Sequence, residues 1–310
     1  MFTCGCIHIE DNLNAQTFGD LVRALNLTGP VLVKPNWGTV ECYTEADILD
    51  WTLAAIPGEK LVIESHGWAR SQEIQLHQKA PALTRANLRK GERWFLESSG
   101  IQSVLEKHQV EYLNLTEEVW AGRIADPGLV RQAVAERYAP LTHAELYEKV
   151  PSRLYSLRGA TLLSLSKYKL AFYPLGASFS VKNLFGLIPG PSRGKFHGPQ
   201  HTLLDQSIIE INKIYRSLFT VKGIIEALHS SGHHEVESER TRVFPGFGKA
   251  YASADTVTLD AYLAASAGRA PEGIGYLALA AQTFGAWDEA AVRTAQQGSQ
   301  IVLGQASVPA

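Results

Sequence analysis

Cysteine is scarce in this 310-residue chain, and Cys4, Cys6 and Cys42 are too few for a disulfide framework. The first two form a lone C-x-C, not the paired C-x-x-C of a zinc module, and read as ordinary thiols near the first strand. Long apolar runs are also missing. No stretch reaches the ~18 residues of a membrane-spanning helix. The opening MFTCGCIHIEDN lacks the basic and apolar regions of a secretory leader. A cytoplasmic protein without a membrane partner is the expectation. Neither sign of charge dominates: 29 Lys plus Arg against 31 Asp plus Glu leaves a formal charge of -2. Such a balance gives no global attraction to nucleic acid. A G-x-G-x-x-G after a strand, a G-K-[ST] phosphate loop and a G-x-S-x-G elbow are all absent. Dinucleotide binding by that fingerprint, P-loop ATP binding and the serine-hydrolase elbow are therefore disfavoured.

What remains is enough apolar material for a sizeable core, 45% hydrophobic against 19% charged. Val31-Leu32-Val33 is a short buried run stopped by Pro35. Thr44 then reads as the N-cap of a helix whose stripe is Ile48, Leu49, Leu53 and Ile56. Pro57-Gly58 ends that helix, and Leu61-Val62-Ile63 is the next strand. Strand, helix, strand is the unit of parallel sheets. Further helices are expected around Trp94 to His108, Leu203 to Leu218, Asp255 to Ala267 and Ile274 to Phe284, with strands at Val110 to Leu113 and Thr161 to Leu165. The polar, helix-prone residues 116–158 read as a helical insertion or cap. The predicted fold is a single α/β domain over residues 1–310, a mainly parallel sheet with helices on both faces.

Polar clusters follow three predicted strands: Lys34-Pro35-Asn36, Glu64-Ser65-His66-Gly67, and Lys167 with Lys169. Ligands bind at the carboxyl ends of parallel strands, so these side chains should meet at one sheet edge. A fourth segment runs from Ser178 through Lys182-Asn183-Leu184-Phe185-Gly186 to Arg193 and His197. It is rich in Gly, Pro and Ser, and loops of this length are often functional.

Three blocks, VLVKPNW from Val31, SFSVKNLFGLIPG from Ser178 and YASADTVTLDA from Tyr251, occur in the order seen in one family. On these blocks the chain resembles the family known as domain of unknown function 362, over about residues 31–285. The resemblance implies a fold and a site at Lys34, Asn36, Lys182, Asn183, His197, Asp255 and Asp260, but no reaction. Some relatives carry iron–sulfur ferredoxin modules, whose cysteine runs this sequence lacks. It also departs from the pattern at Lys167-Tyr168-Lys169, where the family has lysine-threonine-histidine. At His229 to His234 it departs again, where the family has a Gly-Pro-containing segment.

The residues suggest roles. Lys34, Asn36, Lys167, Lys169, Asn183 and Arg193 would bind a small anionic substrate, while His197, Glu64 and Lys182 would be catalytic. The expected activity is proton transfer of the isomerase or lyase type. Two alternatives stay open. One is a metal-dependent oxidoreductase holding a divalent or transition metal at His229, His233 and His234; H-x-x-x-H would place two imidazoles on one helical face, although Ser230-Ser231-Gly232 is poor helix material and favours a solvated loop. The other is a non-catalytic anion-binding protein. Glu210-Ile211-Asn212 resembles the Glu-x-Asn metal motif of ATP-grasp enzymes, but Ile208 to Leu218 reads as helix. Asp255 reads as a helix cap. The oligomeric state is left open.

Overall fold

The computed structural model describes residues 1–38, 42–67, 84–170, 176–232 and 242–297. Strands β1 (Phe2–Cys4) and β2 (Ile7–Glu10) form a hairpin, followed by α1 (Ala15–Ala24). Asn14 caps α1, its side chain accepting from the amides of Gln16 and Thr17. Then come β3 (Val31–Lys34), α2 (Ala46–Ala55), β4 (Lys60–Glu64), α3 (Arg85–Ser98), α4 (Ile101–Lys107) and β5 (Glu111–Asn114). The 116–158 region holds α5 (Leu115–Trp120), α6 (Pro127–Ala135), a 3₁₀ turn and α7 (Ser152–Ser156). The rest is β6 (Thr161–Leu170), a short α8 (Ser180–Asn183), α9 (Leu204–Leu218), β7 (Thr220–Gly232), β8 (Arg242–Ser253), α10 (Thr256–Ser266), α11 (Gly275–Phe284) and α12 (Glu289–Gln297).

All eight strands join in one sheet, ordered β1-β2-β8-β7-β6-β3-β4-β5. From β7 to β5 the neighbours are parallel, whereas β7 with β8, β8 with β2 and β2 with β1 are antiparallel. The sheet is therefore mixed, which corrects the mainly parallel expectation. The reason lies in β7 and β8, a long hairpin that brings the chain back beside itself, and in the amino-terminal hairpin that extends it. Their registers, Gly223 with Ser253 through Gly232 with Arg242, are those of an antiparallel pair.

Every residue of β3 is buried, as befits a central strand covered on both faces. On one face Val31, Val33, Val62 and Leu163 pack with Phe18 and Leu21 of α1, Ile48 and Leu49 of α2 and Phe95 of α3. On the other, Leu32, Ile63, Leu162 and Ile225 pack with Ile208 and Ile211 of α9, Leu259 of α10 and Leu277 of α11. Helices on both faces put the carboxyl ends of the parallel strands along one open edge. Among the described residues, no helix is long and apolar enough to cross a membrane.

The N-cap of α2 is Glu45, one residue later than expected. Thr44 is diverted: its hydroxyl accepts from the Asn36 amide (2.9 Å) and donates to the Leu165 carbonyl (3.3 Å), tying the α2 entry to β3 and β6. Asp255 caps α10 as expected, accepting from the amides of Val257 and Thr258.

Candidate functional site

The parallel strands end in polar residues that meet. Lys34, the last residue of β3, is 1% exposed. Its ammonium donates to Glu64 Oε2 at the end of β4 (2.8 Å), the Pro35 carbonyl (2.7 Å) and Asn183 Oδ1 (3.3 Å). The Glu64 carboxylate also accepts from the amides of Ser65 (2.9 Å) and Trp37 (3.4 Å). Burying this ion pair is tolerable because both partners find further hydrogen bonds. Gly186 lies over it: a Cβ there would meet Lys34 Nζ at 2.8 Å and Glu64 Oε1 at 3.1 Å. Glycine is what lets the loop backbone sit so close.

Asn183 is the hub. Its amide nitrogen donates to the Lys34 carbonyl (3.0 Å) and Ser164 Oγ of β6 (3.1 Å), and its Oδ1 also accepts from Asn36 Nδ2 (3.1 Å). Asn36 Oδ1 in turn accepts from the Lys169 ammonium (2.8 Å). Both asparagines thus have their groups engaged with protein, in the geometry of residues that place lysines.

The α8 segment that carries Lys182 and Asn183 is anchored from several directions. Fully buried Asp260 of α10 accepts from the amides of Ser180 and Val181 (2.9 Å each) and from the Ser180 hydroxyl (2.5 Å). Burial pushes the Asp260 carboxyl up to about 7, although these hydrogen bonds and Arg216 act the other way. Asn212 of α9 donates to the Val181 carbonyl (2.8 Å), and Ser164 donates to the Ser180 carbonyl (2.9 Å). Val181, Leu184 and Phe185 are buried.

Lys182 itself is different from its neighbours. Its side chain is ringed by protein yet retains some solvent-accessible surface. Among the described residues its ammonium has no hydrogen-bond or ion-pair partner. Burial, and then the cations of Lys169, Arg193 and Lys34, lower its pKa to about 8. His197, half-buried, feels the same field: burial, Lys182, His201 and Arg193 lower it to about 4. Its ring stands edge-on to Phe185, and its Nδ1 lies 3.0 Å from that of His201. Arg193 folds back on the loop, donating to the carbonyls of Gly186 (2.6 Å), Ile188 (2.8 Å) and His66 (3.5 Å).

His66 lies beside this group, buried, with Nε2 at 2.8 Å from Glu117 and Nδ1 at 3.4 Å from Glu92. Hydrogen bonding to Arg89, together with His66, holds the Glu117 carboxyl down at about 2 against its burial. The Thr116 hydroxyl accepts from the amides of both His66 (3.1 Å) and Gly190 (3.2 Å), pinning the loop to the end of β5.

Lys167 is fully buried two residues before Lys169, but it belongs to a second cluster. It forms ion pairs with Glu45, at the start of α2, and with Glu226 of β7 (2.9 Å). Desolvation opposes the ammonium, but the two carboxylates outweigh it and raise its pKa. Burial pushes Glu226 strongly up. Exposed His229 closes the chain, its Nδ1 at 2.8 Å from Glu45.

The structure therefore joins Lys34, Glu64, Asn36, Lys169 and Asn183 directly and sets Lys182, Arg193 and His197 around them, with Lys167 and His229 in the adjoining cluster. His229 lies in strand β7, so neither a helical H-x-x-x-H face nor a loop describes it. His233 and His234 lie outside the described residues. Among the described residues, no group of three His, Cys, Asp or Glu side chains is arranged to hold a metal ion. The Glu210 segment is helical, as expected. Its carboxylate holds the amides of Thr142 (2.7 Å) and His143 (2.9 Å), a structural duty. The sequence reading missed Glu226, whose signal is a lone acid inside the apolar run Gly223-Ile224-Ile225-Glu226-Ala227-Leu228. It also missed Ser164 and the anchoring role of Asp260.

A family model described as Domain of unknown function (DUF362) matches residues 31–265. No curated protein and no solved structure matches the chain.

Proposed function

The chain belongs to the family described as Domain of unknown function (DUF362), and we propose that it is an enzyme acting on a small anionic metabolite by proton transfer, of the isomerase or lyase type. One observation carries the proposal. Lys182 is an unpartnered ammonium on which Lys169, Arg193 and Lys34 act and, among the described residues, no carboxylate does. An ammonium set among cations with no partner of its own is destabilised by them, and a bound anion removes that cost.

Roles follow from the geometry. Lys169 and Arg193 hold the anion. Asn36 and Asn183 place the lysines, and the Lys34–Glu64 pair is the floor beneath Gly186. Lys182 titrates near neutrality and exchanges a proton with substrate, while the neighbouring positive charge stabilises a developing enolate or oxyanion. His197 is neutral at pH 7 and serves as a hydrogen-bonding group, becoming a better base when a bound anion offsets the cations. Glu64, whose carboxylate already has three donors, supports Lys34.

Calorimetric titration with pyruvate, malonate and inorganic phosphate tests this reading. At least one should bind the native protein, and Lys182→Met should weaken it at least ~10-fold, the equivalent of ~1.4 kcal/mol. Exchange of substrate α-hydrogens into heavy water, followed by proton NMR, separates an enzyme from a binder. If none of the three anions binds, or the variant binds them as well as the native protein, the site has been misread.

A further inference from the structure

We infer that Lys182 is a nucleophilic amine that forms a Schiff base with a small oxo acid, its Nζ bonding to the carbonyl carbon while the substrate carboxylate rests against Lys169 and Arg193. This rests on the anion-binding reading above and gives it a substrate class and a covalent step.

Partnering is the first argument. Lys34 has three oxygen acceptors around its ammonium and Lys167 has two carboxylates, so both are held as cations. Lys182 has neither carboxylate nor hydrogen-bond acceptor among the described residues, so nothing there stabilises its charged form. Its neighbours are cations, which disfavour a second positive charge and offer a binding place to a carboxylate. Desolvation plus an adjacent cation is the environment that makes a lysine amine nucleophilic.

Rigidity is the second argument. The peptide groups on either side of Val181 are fixed by Asp260, Asn212 and Ser164, and buried Val181 and Leu184 flank the lysine. The amine is therefore delivered from an immobile base. The residue retains some accessible surface, and a small carbonyl compound would approach from that side. With a pKa of about 8, roughly a tenth of the molecules carry the free amine at pH 7, against fewer than about one in 10³ for an ordinary lysine.

The chemistry balances without a redox partner. The Nζ lone pair attacks the carbonyl carbon, a C–N bond forms, and the carbonyl π electrons move to oxygen, which takes up a proton. Nζ releases a proton, and the carbinolamine expels its oxygen as water as the C=N bond forms. The protonated imine then withdraws electrons from a neighbouring C–H or C–carboxylate bond, and proton loss or carbon dioxide loss gives an enamine. Neutral His197 is the nearby carrier for the protons involved.

The test is reduction of the native protein with borohydride in the presence of pyruvate or acetoacetate, followed by peptide mass mapping. One reduced adduct is expected at Lys182, exceeding that at any other lysine at least ~10-fold because more of it is free amine. Its formation should rise with pH to a midpoint near 8. Malonate, which has no ketone, should protect against trapping in the native protein. Lys182→Arg keeps the charge and should keep malonate binding while losing the adduct. Absence of an adduct while malonate or phosphate still distinguishes native protein from Lys182→Met overturns the Schiff base and leaves the anion site standing. Adducts spread evenly over the lysines also overturn it. Failure of both trapping and anion binding overturns both readings.

Discussion

Lys167 and Lys182 stand near the same edge of one sheet, and the fold treats them in opposite ways. Lys167 is fully buried, and its charge is matched by Glu45 and Glu226, so its pKa is raised. Lys182 has no carboxylate beside it among the described residues, so burial and then its cationic neighbours lower its pKa to about 8. Desolvation opposes both charges, and only Lys167 has carboxylates to offset it. The difference teaches that counter-ions decide whether a buried lysine is held as a cation or pushed toward the neutral amine.

The strongest way to break this comparison is to remove both ammonium groups in turn. Lys167→Met should cost about 3–5 kcal/mol in chemical denaturation, because Glu226 and Glu45 lose their shared cation. Lys182→Met should cost no stability and, below pH 8, should raise it, since no partner is orphaned and the penalty for its desolvated charge is removed. Equal losses would show that Lys182 is structural after all. A smaller effect is expected at Gly186→Ala, where the new methyl group meets the Lys34–Glu64 pair at 2.8 and 3.1 Å. A cost of about 1–3 kcal/mol follows from overpacking. Unchanged thermal melting would mean that the loop is not seated on that pair.

The pH dependence sharpens the contrast further. Lys182 has a lower pKa folded, about 8, than unfolded, near 10.5, so between those values the unfolded chain binds more protons. Its contribution makes stability rise with pH across that window, and below pH 8 the full penalty for its charge is present. Subtracting the denaturation profile of Lys182→Met should isolate this slope; parallel profiles would remove it. The smallest effect belongs to His229→Ala. His229 is half-exposed beside Glu45, and surface pairs of this kind contribute about 0–1 kcal/mol. A larger loss in the same assay would mean that His229 is integral to the Lys167 cluster.

The parallel half of the sheet was legible because its strands are short apolar runs, each separated from the next by a helical pattern. Lys34, Glu64, Lys167 and Lys169 are placed at one edge by that rhythm, but it does not reveal that Lys167 pairs with Glu45 and Glu226 in the adjoining cluster. The antiparallel half was not legible. β7 and β8 each mix Gly, Ser and Lys with apolar residues, and the sequence of 233–241 between them carries no strong turn signature. Residue types marked Lys182 and Asn183 for a site, but not their different duties. Asn183 satisfies its groups with partners as far away in sequence as Lys34, and only the folded chain reveals that. Glu226 was hidden for the same reason, because its partner Lys167 and the Glu45 that shares that lysine come from separate elements.

The anchor at Asp260 also sets an order of events during synthesis. Ser180 and Asp260 are 80 residues apart, so Lys182 leaves the ribosome long before the carboxylate that fixes its backbone exists. Asn212 and β7 also emerge after it. Until α10 is made and docked, the amine sits on an untethered segment amid solvent, where water screens the cations and an ordinary lysine pKa prevails. The lowered pKa of Lys182 is thus a property of the completed fold, and a nascent or truncated chain ending before Asp260 carries it as an ordinary lysine.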